Sequence, residues 1–376
     1  MTYKEKLKEV AGVFFKLGLI SFGGPAAHIS MMEEEVVEKR KWMDRQHFLD
    51  LVGATNLIPG PNSTEMTMHC GHERAGFWGL IVAGVSFVFP AVVLTGFFAY
   101  LYVEFGELPQ VAPFIYGIKP AVLAIIASAI LKLGKKALKS WELGILGLLV
   151  LFATYMGVNE IIALLSGGIV GAFYFYIRSK SKGDLKAILP FLSISTPALA
   201  TPLISNLGIF WTFLKVGAVL YGSGYVLFAY LDAELVTKGW LSRQQLIDAV
   251  AIGQFTPGPV LSTATFIGYQ MSGFWGGLAA TVGIFAPSFL FVLLLNPLIP
   301  KMRKSKLLSY FLDSVNIAAV AVMVAVLVVM GIDTLNDWRA IVIAILGFVF
   351  TFGFKKVNAM WIVLGGSLLG YLLFLF

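Results

Sequence analysis

The stretch NLIPGPNSTEM, residues 56–66, interrupts apolar sequence with two prolines, a glycine and a run of small polar residues, and QFTPGPVLSTA, residues 254–264, repeats the interruption. Proline lacks an amide hydrogen and disfavours helix at the preceding residue, so neither Pro-Gly-Pro segment can lie inside a continuous α-helix. Each half also carries an earlier break, SFGGPAAH at 21–28 and YGSGYV at 221–226. The sequence therefore predicts helices that are broken in pairs at equivalent places.

The composition places these breaks in a bilayer. The chain has 376 residues, of which 58% are hydrophobic and 13% charged, and its mean hydropathy is +0.84, far above the values of soluble domains. Apolar runs at 77–103, 111–131 and 274–299 are long enough to cross roughly 30 Å of hydrocarbon as helices. The fold class predicted is an all-α polytopic membrane protein, with the lipid bilayer as its surroundings.

Charge and cysteine usage exclude several classes. The net charge of +7 comes from lysines and arginines in short loops between apolar runs, which is how membrane proteins orient, so no nucleic-acid partner is expected. The single cysteine, Cys70, excludes an intrachain disulfide and a multi-cysteine metal or cluster site. The basic, apolar N-terminus invites a signal-peptide interpretation, but Lys16 interrupts it, and we expect it to be retained.

The chain is a tandem duplication. Aligning Pro59 with Pro257 gives an offset of 198 residues, and the same offset matches Trp42 with Trp240, while GFWG occurs at 76–79 and again at 273–276. The predicted organisation is a first repeat at 1–177, a linker with a connecting transmembrane helix at 178–206, and a second repeat at 207–376.

Loop charges predict that the second repeat is inverted. The acidic loop 104–109 corresponds to the basic loop 301–306, and the basic loop 132–139 corresponds to 329–336, which has no lysine or arginine. Cytoplasmic loops are enriched in lysine and arginine, so equivalent loops lie on opposite sides of the membrane.

An inverted second repeat requires one extra crossing between the repeats, and the apolar segment 187–206 supplies it. The N-terminus is then predicted to be cytoplasmic and the C-terminus outside. The sequence leaves open whether residues 10–30 and 46–73 cross the membrane or fold back as re-entrant hairpins.

Paired breaks in the two halves of an inverted membrane protein point to a transport site. A helix that restarts after a break directs free amides and the positive end of its dipole at the break, which favours an anion by roughly 0.3 to 2 kcal/mol. The candidate substrate-binding residues are break glycines, nearby donors and intramembrane lysines: Gly23, Gly24, His28, Gly60, Asn62, Ser63, Thr64, Gly222, Gly224, Gly258, Ser262, Thr263, Lys16, Lys215 and Lys119.

Charged candidates have two interpretations each. Lys16 and Lys215 supply positive potential to an anion or extend to the membrane interface, and Lys119 lies inside a crossing and is expected to face the bundle interior. Glu65 is a candidate for proton coupling, because a carboxylate beside an anion must be protonated; the alternative is an ion pair with Arg74 or another base. Arg74 attracts the anion or simply marks the cytoplasmic side.

The histidines allow a weak metal or enzyme hypothesis. His69 and His72 lie three residues apart with Glu73 following, but this spacing is not that of a metalloprotease helix. No serine, cysteine or metal constellation supports an intramembrane enzyme using these histidines and Glu65, and no metal or cofactor is expected. His28, just after the GGPAA segment, is either a donor to substrate or a packed core histidine.

A family resemblance rests on the combined motifs. FGGPAAHISMM at 22–32, PGPNSTEMTMHCGHERAGFWG at 59–79, a Tyr-Gly-x-Gly element at 221–224 and PGPV at 257–260 resemble the chromate ion transporter family. The resemblance implies an inner-membrane carrier that exports chromate, coupled to protons, with sulfate as a close analogue. A related oxyanion or an organic acid remains an alternative cargo, and a homodimer remains an open oligomeric state.

Overall fold

The fold is that of a computed structural model, which describes residues 1–22, 24–55, 58–106, 108, 110–180, 205–221, 226–295, 305–354, 357 and 359–375. These residues contain fourteen α-helices and no strand. The all-α prediction is confirmed. The predicted connecting helix at 187–206 lies outside the described residues except for its last two positions.

In the part of the chain that the structure describes, each half contributes seven helices in the same order. The helices of the first half are α1 Tyr3–Ile20, α2 Pro25–Glu33, α3 Arg45–Thr55, α4 Asn62–Phe105, α5 Ala112–Ala137, α6 Trp141–Tyr155 and α7 Glu160–Lys180. Those of the second half are α8 Asn206–Val219, α9 Leu227–Leu231, α10 Arg243–Phe255, α11 Thr263–Leu295, α12 Lys306–Thr334, α13 Trp338–Gly353 and α14 Ala359–Leu373. Both α2 and α9 continue into a π-helical turn, Glu34–Lys39 and Asp232–Val236, and a 3₁₀ turn at Val260–Ser262 precedes α11.

Several helices are built for a bilayer. Among the described residues, five helical segments are long and apolar enough to cross a bilayer: Asn62–Phe105, Ala112–Ala137, Glu160–Ser179, Val260–Leu294 and Lys306–Thr334. Side chains at helical spacing on α4, namely Phe89, Val93 and Phe97, are each about half exposed, at 54%, 51% and 54%. An apolar stripe of this kind suits contact with lipid.

Helix α4 is folded into a hairpin. The backbone at Gly76 has φ 62° and ψ −150°, a combination essentially restricted to glycine, and the chain reverses there. A Cβ placed on Gly84 would lie 2.9 Å from Cγ of Met68, so the arms 62–74 and 77–105 run antiparallel. Gly273, with φ 58° and ψ −151°, makes the equivalent turn in α11. The GFWG motifs are therefore hairpin turns.

The first two elements form a second hairpin beside the first. Tyr3, at the start of α1, donates a hydrogen bond of 3.3 Å to the carbonyl of Ala75, whereas Gly18, near its end, faces Phe87 and Pro90. Helix α2 then returns along α1, because Lys16 pairs with Glu35 at 3.1 Å.

Helix α3 and the 62–74 arm form a further hairpin, whose open end lies at the same end of the 77–105 arm as that of the α1–α2 hairpin. His47, near the start of α3, lies 3.2 Å from Glu73 at the end of the 62–74 arm. Both hairpins thus start at one end of the 77–105 arm and reverse partway along it. The segments for which the sequence left two possibilities open are hairpins that reverse beside the 77–105 arm, which is the shape expected of re-entrant elements.

The breaks lie halfway along the long arms. A Cβ on Gly258 would lie 2.8 Å from Cβ of Ala91, the middle residue of the 77–105 arm. Gly60 lies beside Glu65 and Ser288, and Ser288 follows the proline inside α11. Both Pro-Gly-Pro segments are therefore at mid-depth of the helices that surround them.

Equivalent helices of the two halves run in opposite directions. Tyr116 near the start of α5 donates 2.6 Å to Asp337, just beyond the end of α12, and Lys139 beyond the end of α5 pairs with Asp313 near the start of α12 at 2.6 Å. In the same way, Tyr102 near the end of the 77–105 arm donates 2.6 Å to Asp248 of α10. The hairpins of the second half thus lie along the opposite end of that arm from those of the first half.

Candidate functional site

Each Pro-Gly-Pro break docks on the first helix of the other half. The amide of Gly60 donates 2.7 Å to the carbonyl of Leu220 at the end of α8, and the amide of Gly258 donates 2.8 Å to the carbonyl of Ser21 at the end of α1. These two bonds are pseudo-equivalent, since both donors and both acceptors correspond between the repeats. They join the four breaks into two pairs, each at mid-depth of the long arms.

Only glycine fits at the two docking positions. Gly60 has φ 138° and Gly258 has φ 88°, both in the region that side chains with a Cβ rarely adopt. A Cβ on Gly60 would also overlap the side chains of Glu65 and Ser288. The close approach of backbone to backbone therefore explains the glycine in both motifs.

Apart from the five-residue α9, which begins just after the break at 221–226, three helix N-termini begin at the breaks in the described ranges. Helix α2 begins after Gly24, α4 after Pro61 and the Val260–Ser262 turn after Pro259, and none of these three caps makes a side-chain capping bond. Uncapped termini leave amide hydrogens unsatisfied and carry the positive end of the helix dipole. The arrangement can attract an anion, as the sequence predicts.

A buried carboxyl group follows the first Pro-Gly-Pro break, at 59–61. Glu65 is fully buried beside Gly60 and Ser288, and among the described residues it makes no ion pair. Arg74, its suggested partner, instead pairs with Glu9 at 2.7 Å and lies 5.5 Å from the ring centre of Trp42. Burying a carboxylate without a cation is costly, whereas a protonated carboxylic acid is neutral. This position suits a group that binds and releases a proton.

The donors after the first break begin helix α4. Asn62 is half-buried at the first helical position, and Ser63 and Thr64 follow it with buried side chains. Within the described ranges, the Thr64 hydroxyl has no hydrogen-bond partner. It is thus available to a ligand at the start of the helix.

The second break has hydroxyl groups where the first has an acid. Thr263 occupies the position equivalent to Glu65, and its hydroxyl donates 2.8 Å to the carbonyl of Val260. Ser262 is fully buried and accepts a 3.2 Å bond from Thr95 of α4. This break is polar and carries no carboxylate of its own.

His28 lies just past the break between α1 and α2. Its side chain is 1% exposed, and its ring packs edge-on against Phe87 with 5.7 Å between ring centres. The backbone of Ser21 lies beside the imidazole, and over the described part of the chain neither ring nitrogen has a hydrogen-bond partner of good geometry. His28 is therefore packed, as one interpretation predicts, but its polar atoms remain available, as the other requires.

The symmetric lysines are bound to carboxylates. Lys16 pairs with Glu35, and Lys215 pairs with Glu234 at the equivalent place. The Lys16 and Lys215 side chains are more than half exposed, at 57% and 56%. Each acid also pairs with a second lysine, four residues further along the chain; in the first half this lysine is Lys39. The two lysines thus have local counter-charges.

Lys119 forms a buried ion pair with a residue of the other half, away from the breaks. Its ammonium lies 3.0 Å from Asp248, and Tyr102 donates 2.6 Å to the same carboxylate. The pair joins α5 of the first half to α10 of the second. The sequence places Lys119 inside the bundle, and the structure adds the partner that it finds there.

The histidine pair lies on the 62–74 arm, away from the break. His69 is buried and His72 half-buried. Over the residues described, no group of three or more histidine, cysteine or acidic side chains is arranged to hold a metal ion. Gly23, Gly222 and Gly224 lie outside the described residues.

Sequence reasoning did not single out Ser288, Thr95 or Asp248. Ser288 directly follows Pro287, a proline that aligns with Pro90, and Asp248 aligns with Asp50. The signal for Ser288 and Asp248 was therefore the repeat register itself. Nothing local in the sequence marks Thr95, which reaches the site only through packing between the halves.

Comparison with known proteins identifies the family of the chain. The chromate transporter family model matches residues 8–172 and again residues 207–371. The chain is 31% identical over 372 residues to the chromate transport protein of Cupriavidus metallidurans, covering 97% of this chain and 92% of that protein. It is 30% identical over 354 residues to the probable chromate transport protein of Synechococcus elongatus, covering 91% and 89%.

A third relative extends the comparison. The chromate transport protein of Pseudomonas aeruginosa is 28% identical over 379 residues, covering 96% of this chain and 91% of that protein. No solved structure matches the chain. The double family match follows the two halves of the fold, and the chain is therefore a multi-pass membrane protein that belongs to the chromate transporter family.

Proposed function

We propose that the protein is a secondary transporter that carries chromate, a tetrahedral oxyanion, across the membrane. The observation that carries this proposal is the docking of both Pro-Gly-Pro breaks at mid-depth, by 2.7 Å and 2.8 Å amide bonds, beside uncapped helix N-termini. Amide hydrogens and helix dipoles favour an anion there. The names of the relatives supply the identity of the anion.

An inverted pair of repeats would give this site alternating access. The opposite directions of α5 and α12, and the placement of the two sets of hairpins along opposite ends of the 77–105 arm, support inversion. In such carriers one set of elements rocks against the other around a fixed central site. With the lysine- and arginine-rich loops assigned to the cytoplasm, the proposed topology puts the N-terminus in the cytoplasm and the C-terminus outside, in the plasma membrane, which is the inner membrane of a two-membrane cell.

Export is the direction that the membrane potential favours. Moving one elementary charge across a potential is worth about 2.3 kcal/mol per 100 mV. A dianion leaving a cell whose interior is negative therefore gains about 4.6 kcal/mol per 100 mV.

We assign proton coupling to Glu65, because it is buried at the break without an ion-pair partner among the described residues.

A second candidate keeps the transport class and changes the cargo to sulfate, another oxyanion or a small organic acid. The donors at the breaks are amides, hydroxyls and an imidazole, which detect charge and hydrogen-bond acceptors rather than the central atom. An enzyme acting through His69 and His72 is a weaker candidate; double replacement of both by alanine should leave transport intact.

Competition in everted membrane vesicles tests the cargo. Labelled chromate uptake should saturate, and unlabelled chromate should compete more strongly than sulfate or a carboxylic acid. Stronger competition by another anion would reassign the cargo. No saturable chromate signal, compared with vesicles lacking the protein, would overturn the proposal.

A further inference from the structure

The two Pro-Gly-Pro breaks, the first at 59–61 and the second at 257–259, are related by the repeat but differ in chemistry. At the first break, the neighbours of Gly60 are Glu65 and Ser288, and the carbonyl that it binds belongs to Leu220. At the second, the neighbour of Gly258 is Ala91, and the carbonyl that it binds belongs to Ser21. Equivalent geometry thus surrounds an acid in one place and neutral groups in the other.

An ionised Glu65 would repel an oxyanion at the first break. The position equivalent to Glu65 at the second break is Thr263, so that repulsion is missing there. The acid nearest along the chain to the second break, Asp248, is bound by Lys119 at 3.0 Å and by Tyr102 at 2.6 Å. Electrostatics therefore favours the second break for the anion.

The second break also offers unused donors. His28 is 1% exposed, and its ring nitrogens lack hydrogen-bond partners in the ranges described. It lies beside the backbone of Ser21, the residue whose carbonyl accepts the Gly258 amide, so the imidazole and the second break meet at one residue. A buried imidazole without a partner is costly unless something occupies its donor.

Ser262, four residues after Gly258, adds a hydroxyl next to the second break. It is fully buried and accepts a 3.2 Å bond from Thr95, which leaves its own hydrogen for a ligand. The starts of α2 and of the Val260–Ser262 turn, neither capped by a side chain, complete the set.

We propose that the oxyanion binds at the second break, with His28 and Ser262 as its side-chain donors, and that the first break serves as the proton site of Glu65. This division of labour rests on the proposed function, since it assigns the anion and the proton of that transport to separate, pseudo-equivalent places. Duplication would have supplied two identical breaks, and substitution at Glu65 and His28 would have specialised them.

Equilibrium binding of labelled chromate to the purified full chain in lipid nanodiscs tests the division, with labelled sulfate as a non-oxidising second probe. His28→Leu places at this position the side chain found at Leu227 in the other repeat, and Ser262→Ala removes only a hydroxyl. We expect each to raise the Kd at least about tenfold, whereas His28→Gln, which keeps a donor, recovers most of the affinity.

Thr265→Val is the matched control for Ser262→Ala. Thr265 lies one turn further along α11, and its hydroxyl already bonds Thr281 at 2.7 Å, so its loss should change the Kd less than about twofold. Unchanged binding by both His28→Leu and Ser262→Ala would remove the anion from the second break and overturn this inference alone. A wild-type protein that binds neither anion would overturn the proposed function itself.

Discussion

Gly60 and Gly258 hold the centre of the molecule together through their backbones. Each combines a positive φ with an amide bond to the opposite half, and each lacks space for a Cβ. A β-branched side chain would add strain of about 1–3 kcal/mol to the overlap, and it would push apart the breaks rather than unfold the surrounding long helices.

Gly60→Val and Gly258→Val should therefore abolish chromate transport while the protein still inserts into the membrane. Transport in everted vesicles, with the amount of protein measured by immunoblot, checks this. Gly12→Val is the control, because a Cβ at Gly12 meets nothing within 4 Å, and it should retain transport. Undiminished flux in both break variants would remove the breaks from the site.

Glu65 carries the coupling prediction. Glutamine keeps the size of the side chain but cannot exchange a proton, so Glu65→Gln should transport chromate at a rate that no longer depends on the pH gradient. Initial rates in proteoliposomes at several imposed gradients, compared with wild type, measure this dependence. A pH-gradient dependence equal to that of wild type would reject the assignment of the proton to Glu65.

At the scale of elements, the GFWG turn decides the topology. The turn at Gly76 reverses α4, so that its two arms, 62–74 and 77–105, run antiparallel. Alanine at φ 62° and ψ −150° costs on the order of 1–3 kcal/mol, because a Cβ disfavours this conformation even where space is free.

Gly76→Ala should accordingly lower the apparent Tm of the purified protein, as followed by loss of monodisperse protein on heating in detergent. Gly331→Ala supplies the comparison, since Gly331 lies within α12 and a Cβ there also meets nothing within 4 Å. It should leave the Tm unchanged or slightly raise it. Equal Tm values for the two variants would show that the turn does not depend on glycine.

The sequence predicted where the helices break better than it predicted whether the flanking helices cross or fold back. Proline and glycine at 59–61 and 257–259 require a break in any helix, so those positions follow from local chemistry. Whether the flanking helices cross or return depends on contacts such as that between Gly71 and Gly79, and GFWG served only as a marker of repeat register. Apolarity alone cannot distinguish a hairpin from a crossing.

The site was predictable only in part for a related reason. Glu65 stands beside a visible break, but Ser288 reaches it from the other half of the chain. Lys119 was expected inside the bundle, whereas its partner Asp248 depends on how α5 packs against α10. Residues within one motif can be grouped from the sequence, and residues joined by packing between the repeats cannot.

At the scale of the whole molecule, the opposed halves predict opposed loops. Lys136 and Asn336 are exposed at equivalent ends of α5 and α12, and the proposed inversion would put the first in the cytoplasm and the second outside. The only cysteine, Cys70, is buried and can be replaced by alanine to give a background for labelling.

In that background, a membrane-impermeant maleimide should label Asn336→Cys in intact cells and Lys136→Cys only after permeabilisation. The control is each variant labelled after permeabilisation, which establishes that both thiols react. Labelling of both from the same side of the membrane would mean that the repeats are parallel.

The central claim is that an oxyanion crosses the membrane at the meeting point of the breaks. The most direct measurement is initial uptake of labelled chromate into proteoliposomes with an imposed pH gradient, for the wild type, Gly258→Val and Gly12→Val. The account predicts saturable, gradient-dependent uptake by the wild type and Gly12→Val, and uptake at the level of protein-free liposomes by Gly258→Val. Wild-type uptake no greater than that of protein-free liposomes, or full uptake by Gly258→Val, would contradict it.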